Sequence, residues 1–344
     1  MQNLMRYTQK PSMGGMSMRR NLFMVLLVSV VLVGTLAFAQ EKKPAEGMYF
    51  RLVTHGGDDP FWAVVQKGAM DAAKELGCKV DIDLCGGDLT LQLKRFEEAV
   101  AMKPNGIALV INDDTAWDEP VKRALEQGIP VIGMNNDDSE GAVGNPRLCY
   151  IGQSEKAAAY RLARRLFDEA KAKGIDLSKA HVAMAAEVPG ANYAKIRASG
   201  ILEAMKEYGI TSYEIIDAGG LEMTTVEARE TAYLLAHPET TFLIGLGGIC
   251  TDRLTASLKA AGKQPGEIIA GGFDTTPDTL AGIKEGYVTA TIDQQQYLQG
   301  YFAVYVLYLY NKYGFTPNID TGGYLVDSPE KIALIEKFSP EHIR

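Results

Sequence analysis

A chain of 344 residues with 43 acidic and 35 basic side chains carries a formal charge of −8, a surplus that argues against a phosphate-backbone partner, so no nucleic acid is expected. With 47% hydrophobic and 23% charged residues the composition is that of a globular protein, and the length suits two domains better than one core.

The first 39 residues contain Arg6, Lys10, Arg19 and Arg20 but no acid, then an apolar run over 22–38 that ends in Ala37-Phe38-Ala39. A basic head, an apolar middle and a small-residue exit describe a secretory signal over 1–39, cleaved before Gln40, which leaves the protein free in a bacterial periplasm. The alternative is an uncleaved anchor, since about 17 apolar residues reach the lower limit for a membrane span. The Ala-x-Ala exit favours cleavage.

From residue 47 the pattern alternates strand and helix. A strand over 48–54 runs into Gly56-Gly57-Asp58-Asp59-Pro60-Phe61-Trp62, and a helix over 61–76 with Val65, Ala69, Ala72 and Leu76 on one face stops at Gly77. A strand over 80–84 and a helix over 90–102 ended by Pro104 follow. A buried strand over 106–111 then leads into Asn112-Asp113-Asp114, a helix over 117–127 closes at Gly128, and a strand over 131–134 leads into Asn135-Asn136-Asp137-Asp138. The second round places helices at 154–173, 193–208, 226–236 and 252–261, and strands at 181–186, 214–217, 242–246 and 268–270. The last of these leads into Gly271-Gly272-Phe273-Asp274. A late strand over 289–292 and an aromatic-rich helix over 297–313 complete the alternation, which is the signature of two doubly wound α/β halves. Tyr301, Tyr305 and Tyr308 read as packing residues.

In open α/β sheets ligands bind outside the carboxyl ends of the strands. Those ends carry carboxylates, carboxamides and two aromatics, a mixture that suits a polyol: hydroxyls donate and accept, while the CH face of a sugar ring is apolar. Phe61 and Trp62 serve equally as a flat surface for a ring or as a hydrophobic staple at a helix entry. Arg197 offers a rigid fork for two ligand oxygens. Asp114 and Asp138 read as turn formers or helix caps.

Enzyme chemistry finds little support. The run Gly245-Leu246-Gly247-Gly248-Ile249-Cys250 is a poor dinucleotide fingerprint. His55, His181, His237 and His342 are scattered, Asp81-Ile82-Asp83 does not continue as a calcium loop, and no Gly-x-Ser-x-Gly elbow occurs. Cys78, Cys85, Cys149 and Cys250 fit no metal spacing. Cys78 and Cys85 flank a strand and stand roughly 20 Å apart, so they cannot pair with each other; an oxidising compartment permits other pairings, and buried free thiols are the expectation. No catalytic residues, metal or cofactor are expected.

Asp59-Pro60-Phe61-Trp62, Gly128-Ile129-Pro130-Val131, Arg197-Ala198-Ser199-Gly200, Gly272-Phe273-Asp274 and Ala290-Thr291-Ile292-Asp293-Gln294 together resemble the periplasmic binding proteins of the ribose-binding type. The resemblance covers essentially the whole chain after the signal segment. A signal segment in place of a helix-turn-helix separates the chain from the DNA-binding relatives of that family. The resemblance implies a type I periplasmic binding protein: two Rossmann-like lobes, 47–152 plus 295–322 and 153–294 plus 323–344, joined by a three-stranded hinge near Gln153, Gln294 and Thr321-Gly322-Gly323. It further implies capture of a monosaccharide or sugar alcohol between closing lobes and delivery to an ABC-type permease, by a monomer that can also engage a chemoreceptor. The alternatives are another small polar ligand, such as a cyclitol, nucleoside or furanosyl signal, and last a periplasmic enzyme.

Carried over by position, the contacts are Asp59, Phe61, Trp62, Asn112, Asn135 and Asn136 from the first lobe, and Arg197, Leu221, Gly247, Asp274 and Gln294 from the second lobe and hinge. Four of them depart from the ribose binders: Asn135-Asn136 replaces an Asp-Arg pair, Leu221 an aromatic, and Gly247 an asparagine. The expectation is a roomier, less polar second-lobe wall that disfavours ribose and takes a hexose, ketose or extended polyol.

Overall fold

Parallel strands buried on both faces need helices on both sides, and the apolar strands of this chain are arranged that way twice. The computed structural model describes residues 42–58 and 60–344; Asp59 and the expected signal segment 1–39 lie outside the described residues. One sheet contains β1 (Tyr49–Thr54), β2 (Lys79–Leu84), β3 (Gly106–Leu109), β4 (Val131–Asn135), β5 (Tyr150–Gly152) and β11 (Ile319–Asp320), in the order β11-β5-β4-β3-β1-β2. The other contains β6 (His181–Ala186), β7 (Ser212–Asp217), β8 (Thr240–Gly245), β9 (Ile269–Phe273), β10 (Val288–Asp293) and β12 (Tyr324–Val326), in the order β12-β10-β9-β8-β6-β7. All pairings are parallel except that of β10 with β12. These are the two α/β halves that the alternation implied.

Strand order reverses between β1 and β3 in the first sheet and between β6 and β8 in the second. Helices leave neighbouring strands in opposite directions there, which opens a crevice at the carboxyl edge.

Each sheet is sealed on both faces by its own apolar clusters. Phe50, Leu52 and Ile132 pack with Val65 and Leu307 on one side of the first sheet, and Val53, Ile107 and Leu109 with Phe96 and Trp117 on the other. In the second, Met184, Phe242 and Ile292 meet Leu162 and Phe167, while Leu243 and Ala270 meet Leu254 and Leu258. Helices Pro60–Leu76 and Gln296–Tyr313 cross so closely that a Cβ on Gly68 would overlap the Tyr297 carbonyl, and one on Gly300 the Val65 carbonyl. The aromatic face of Gln296–Tyr313 serves this crossing, with Tyr297 donating to Asp71 at 3.0 Å and Tyr301 to Glu75 at 2.7 Å.

The sequence pattern did not reveal β5, β11 and β12, or helices Pro277–Glu285 and Pro329–Phe338. The strands are only two or three residues long, too short to display a period, and their places are fixed by pairing across distant segments. The expected strand over 268–270 extends to Phe273, so of its presumed terminal cluster only Asp274 lies beyond the strand. All four cysteines are free thiols, and Cys85, Cys149 and Cys250 are buried.

The chain passes between the sheets at three places: after β5 into helix Glu155–Ala172, after β10 into helix Gln296–Tyr313, and between β11 and β12. Polar side chains tie these passages together. Gln299 donates to the Gln294 carbonyl and the Thr321 hydroxyl, both at 3.3 Å, and Gln295 donates to the Thr321 carbonyl at 2.7 Å.

Candidate functional site

At the first sheet's carboxyl edge, Trp62 is a core residue, only 4% exposed. Its indole covers Gly56 so closely that any Cβ there would strike the ring, and it meets His55 and Phe61 edge-on, each at 5.4 Å between centroids. Half-buried Phe61 carries the apolar surface outward. Burial lowers the pKa of His55 to about 4, so its imidazole is neutral at physiological pH. Asn112, just past β3, accepts from the Trp117 indole N–H at 3.0 Å.

Asn135 ends β4 in the left-handed region (φ 64°) and donates its amide to Gln299 at 3.0 Å, which joins the cleft to the inter-sheet passages. Half-buried Asn136 has no side-chain hydrogen bond among the described residues. Asp137 is paired with Arg147, and Asp138 accepts from the Glu140 N–H at 2.8 Å as a turn former. Asp114 does more than shape a turn. It accepts from the Ser139 N–H and hydroxyl, each at 2.9 Å, and from the Asn192 amide at 2.7 Å, so it connects the edges of the two sheets.

On the second sheet, Arg197 does not present a free fork. Its Nη2 donates to Glu155 Oε1 at 3.1 Å and its Nε to Glu155 Oε2, while Nη1 donates to the Leu246 carbonyl at 2.8 Å. The guanidinium lies 3.9 Å from the centre of the Phe273 ring. Burial alone would lower its pKa; the Glu155 carboxylate more than offsets that, so the charge is fixed. Asp274, left-handed at φ 72°, accepts from the Gln294 amide at 2.7 Å. Withdrawal from water raises its pKa to about 6, against the opposing pull of Arg197 and Gln294.

Leu221 is 64% exposed, carried to the rim by Gly219 and Gly220, which need the left-handed conformation (φ 87° and 99°). Gly247 is the cap residue of helix Gly248–Ala260, so the glycine run is a helix entry. The space beside Gly247 is not empty: a Cβ there would overlap the carboxylate of Glu187. The expectation of a roomier, less polar wall at this position is therefore corrected. Glu187, 4% exposed, accepts from the Tyr193 hydroxyl at 3.0 Å and the Cys250 N–H at 2.9 Å.

Phe61, Asn112, Asn135 and Asn136 thus share the carboxyl edge of the first sheet, and Arg197, Leu221, Gly247, Asp274 and Gln294 that of the second. Sequence reasoning missed Glu155, Glu187, Tyr193 and Asn192. Glu187 was the findable one, being the first polar residue after the strand at 181–186. His181 and His237, distant in sequence, approach each other at 6.5 Å around Tyr233, but His181 begins β6 and so lies at the opposite edge from the cleft.

Residues 50–313 match the periplasmic binding protein domain family. A xylose/arabinose-binding protein of Sulfolobus acidocaldarius is 30% identical over 284 residues, 78% of this chain and 68% of that protein. Among solved structures, a periplasmic sugar-binding protein of Legionella pneumophila is 30% identical with a TM-score of 0.71, over 80% of this chain and 99% of that one. A carbohydrate transporter protein of Acidothermus cellulolyticus, solved in complex with myo-inositol, is 27% identical with a TM-score of 0.73, over 86% and 99%. With the family matched over most of its length and two switch-point crevices built from polar strand ends, the chain belongs to the periplasmic binding proteins.

Proposed function

We propose that this protein is the solute-binding component of an ABC-type importer, exported by the signal at 1–39 and taking a monosaccharide, sugar alcohol or cyclitol between two lobes. The observation that carries this reading is the approach of two switch-point edges, joined by the Asn192 amide donating to Asp114 at 2.7 Å, one bearing Phe61 and three asparagines, the other Asp274, Gln294 and a carboxylate-bound arginine. Carboxamides and carboxylates saturate hydroxyls, and a half-buried ring covers an apolar sugar face. The relative named for xylose and arabinose and the neighbour solved with myo-inositol support a small polyhydroxylated ligand. Lobes divided at 47–152 plus 295–322 and 153–294 plus 323–344 would close about the three inter-sheet passages. Delivery to a permease, optional engagement of a chemoreceptor and action as a monomer without catalysis complete the proposal.

A thermal-shift and calorimetric screen of pentoses, hexoses, alditols, inositols and nucleosides tests it. At 100–1,000 times the dissociation constant a true ligand should stabilise the fold by about 3–4 kcal/mol. Stabilisation by nucleosides alone, or turnover of a bound compound, would overturn the reading.

A further inference from the structure

Glu187 follows β6 directly, and Gly247 lies just past β8, so the two flank the strand-order reversal of the second sheet. Three features set this carboxylate apart. It takes the volume that a side chain at position 247 would fill, because a Cβ on Gly247 would run into both of its oxygens. Its acceptor capacity is only partly used: Tyr193 and the Cys250 N–H supply one hydrogen bond to each oxygen, whereas a carboxylate has about four acceptor sites. Nor, among the described residues, does a cation form an ion pair with it. Arg197 is committed to Glu155, Arg253 to Asp252 and Asp278, and Arg229 lies against Asp217.

The surroundings converge on the same point. The Gly220 N–H donates to the Glu187 carbonyl at 3.0 Å and so brings Leu221 to the same corner. At the next residue of the turn, a Cβ on Gly248 would meet the Asp274 carboxylate. Consecutive Cα atoms are about 3.8 Å apart, so two carboxylates stand against one glycine turn at the mouth of the crevice.

Building on the solute-binding reading, we propose that Glu187 is a ligand-contacting residue and the principal selector of this cleft. It replaces the missing side chain at position 247 with an acceptor, and so requires a polyol ligand that presents a hydrogen-bond donor to the 247–248 turn. A carboxamide at that place would both donate and accept. A carboxylate only accepts, so a ligand whose group at that ring position is absent or acceptor-only leaves the remaining acceptor sites of Glu187 desolvated and unfilled.

The test is calorimetry on the wild-type chain and Glu187→Gln with myo-inositol, D-arabinose, D-xylose and D-galactose, together with the monodeoxy derivatives of whichever binds tightest. The variant is expected to lose at least tenfold in affinity for the parent polyol. For one monodeoxy derivative, already weakened on the wild type, it should lose little more. That coupling at a single ring position is something a merely structural carboxylate would not produce. Gly247→Ala, which displaces the carboxylate without removing it, should show the same single-position pattern and serves if Glu187→Gln folds poorly. Equal fold-losses for the parent and every derivative would overturn the assignment and leave the solute-binding reading standing. Failure of the wild type to bind any pentose, hexose, alditol or inositol of the wider screen would overturn both.

Discussion

Glu155 and Arg197 meet as a two-point ion pair in which both side chains are more than nine-tenths buried, Nη2 reaching Oε1 at 3.1 Å. The arginine that the sequence offers to a ligand is thus held by a carboxylate at the start of helix Glu155–Ala172, next to an inter-sheet passage. Removing one partner strands the other charge in the interior. Arg197→Ala should therefore cost about 3–5 kcal/mol of stability in addition to affinity, and Arg197→Met with Glu155→Gln should recover much of it. Urea unfolding of the two variants checks this; a single variant as stable as wild type would contradict the pairing.

Asp274 gives the protein a pH dependence with a definite sign. Its pKa stands at about 6 in the fold against 3.8 in its absence, so the native state favours the protonated form. That stabilisation is complete below pH 4 and is lost as pH rises through 6. Asp274→Asn should then stabilise the unliganded protein by about 3 kcal/mol at pH 8 and hardly at pH 4, since one pKa unit corresponds to about 1.4 kcal/mol. If ligand hydroxyls donate to the ionised carboxylate, affinity should rise with pH through 6 and then level off. Chemical denaturation at both pH values and calorimetry from pH 5 to 8 measure the two effects.

Phe61 and Trp62 are adjacent yet should behave differently. Trp62 is core, packed on Gly56 and His55, so Trp62→Ala should destabilise the fold by about 3–5 kcal/mol. Phe61 is half-buried at the rim, and Phe61→Ala should act mainly on polyol affinity, with a much smaller change in melting temperature. Equal destabilisation by both would remove Phe61 from the ligand surface.

The bond from Asn192 to Asp114 spans the edges of the two sheets at 2.7 Å. Asn192→Ala removes a contact available only when those edges approach, so the unliganded protein should show a larger radius of gyration by small-angle scattering. Saturating polyol should restore the wild-type value. An unchanged radius in the variant would mean that this bond does not hold the edges together.

Local pattern was enough to read the two α/β halves, because strands buried on both faces and helices with one apolar face announce themselves within a dozen residues. Polar clusters past strand ends located the rim for the same reason: a strand that leaves the core must expose its next residues. The short β5, β11 and β12 carried no such signal, since their existence depends on pairing with segments up to 168 residues away, as in the Tyr150 N–H donating to Asn318. Side-chain partnership was equally invisible. Arg197 and Glu155 are 42 residues apart, and only the packing of helix Glu155–Ala172 against helix Asn192–Tyr208 brings a carboxylate to that guanidinium. The glycine at 247 reads as space in the sequence, but in three dimensions a neighbouring strand end delivers Glu187 into it. Sequence determines which chemical groups reach the cleft edge, because that follows from periodicity. The tertiary structure decides which of them remain free for a ligand, because desolvated charges seek partners from whatever element the fold places beside them.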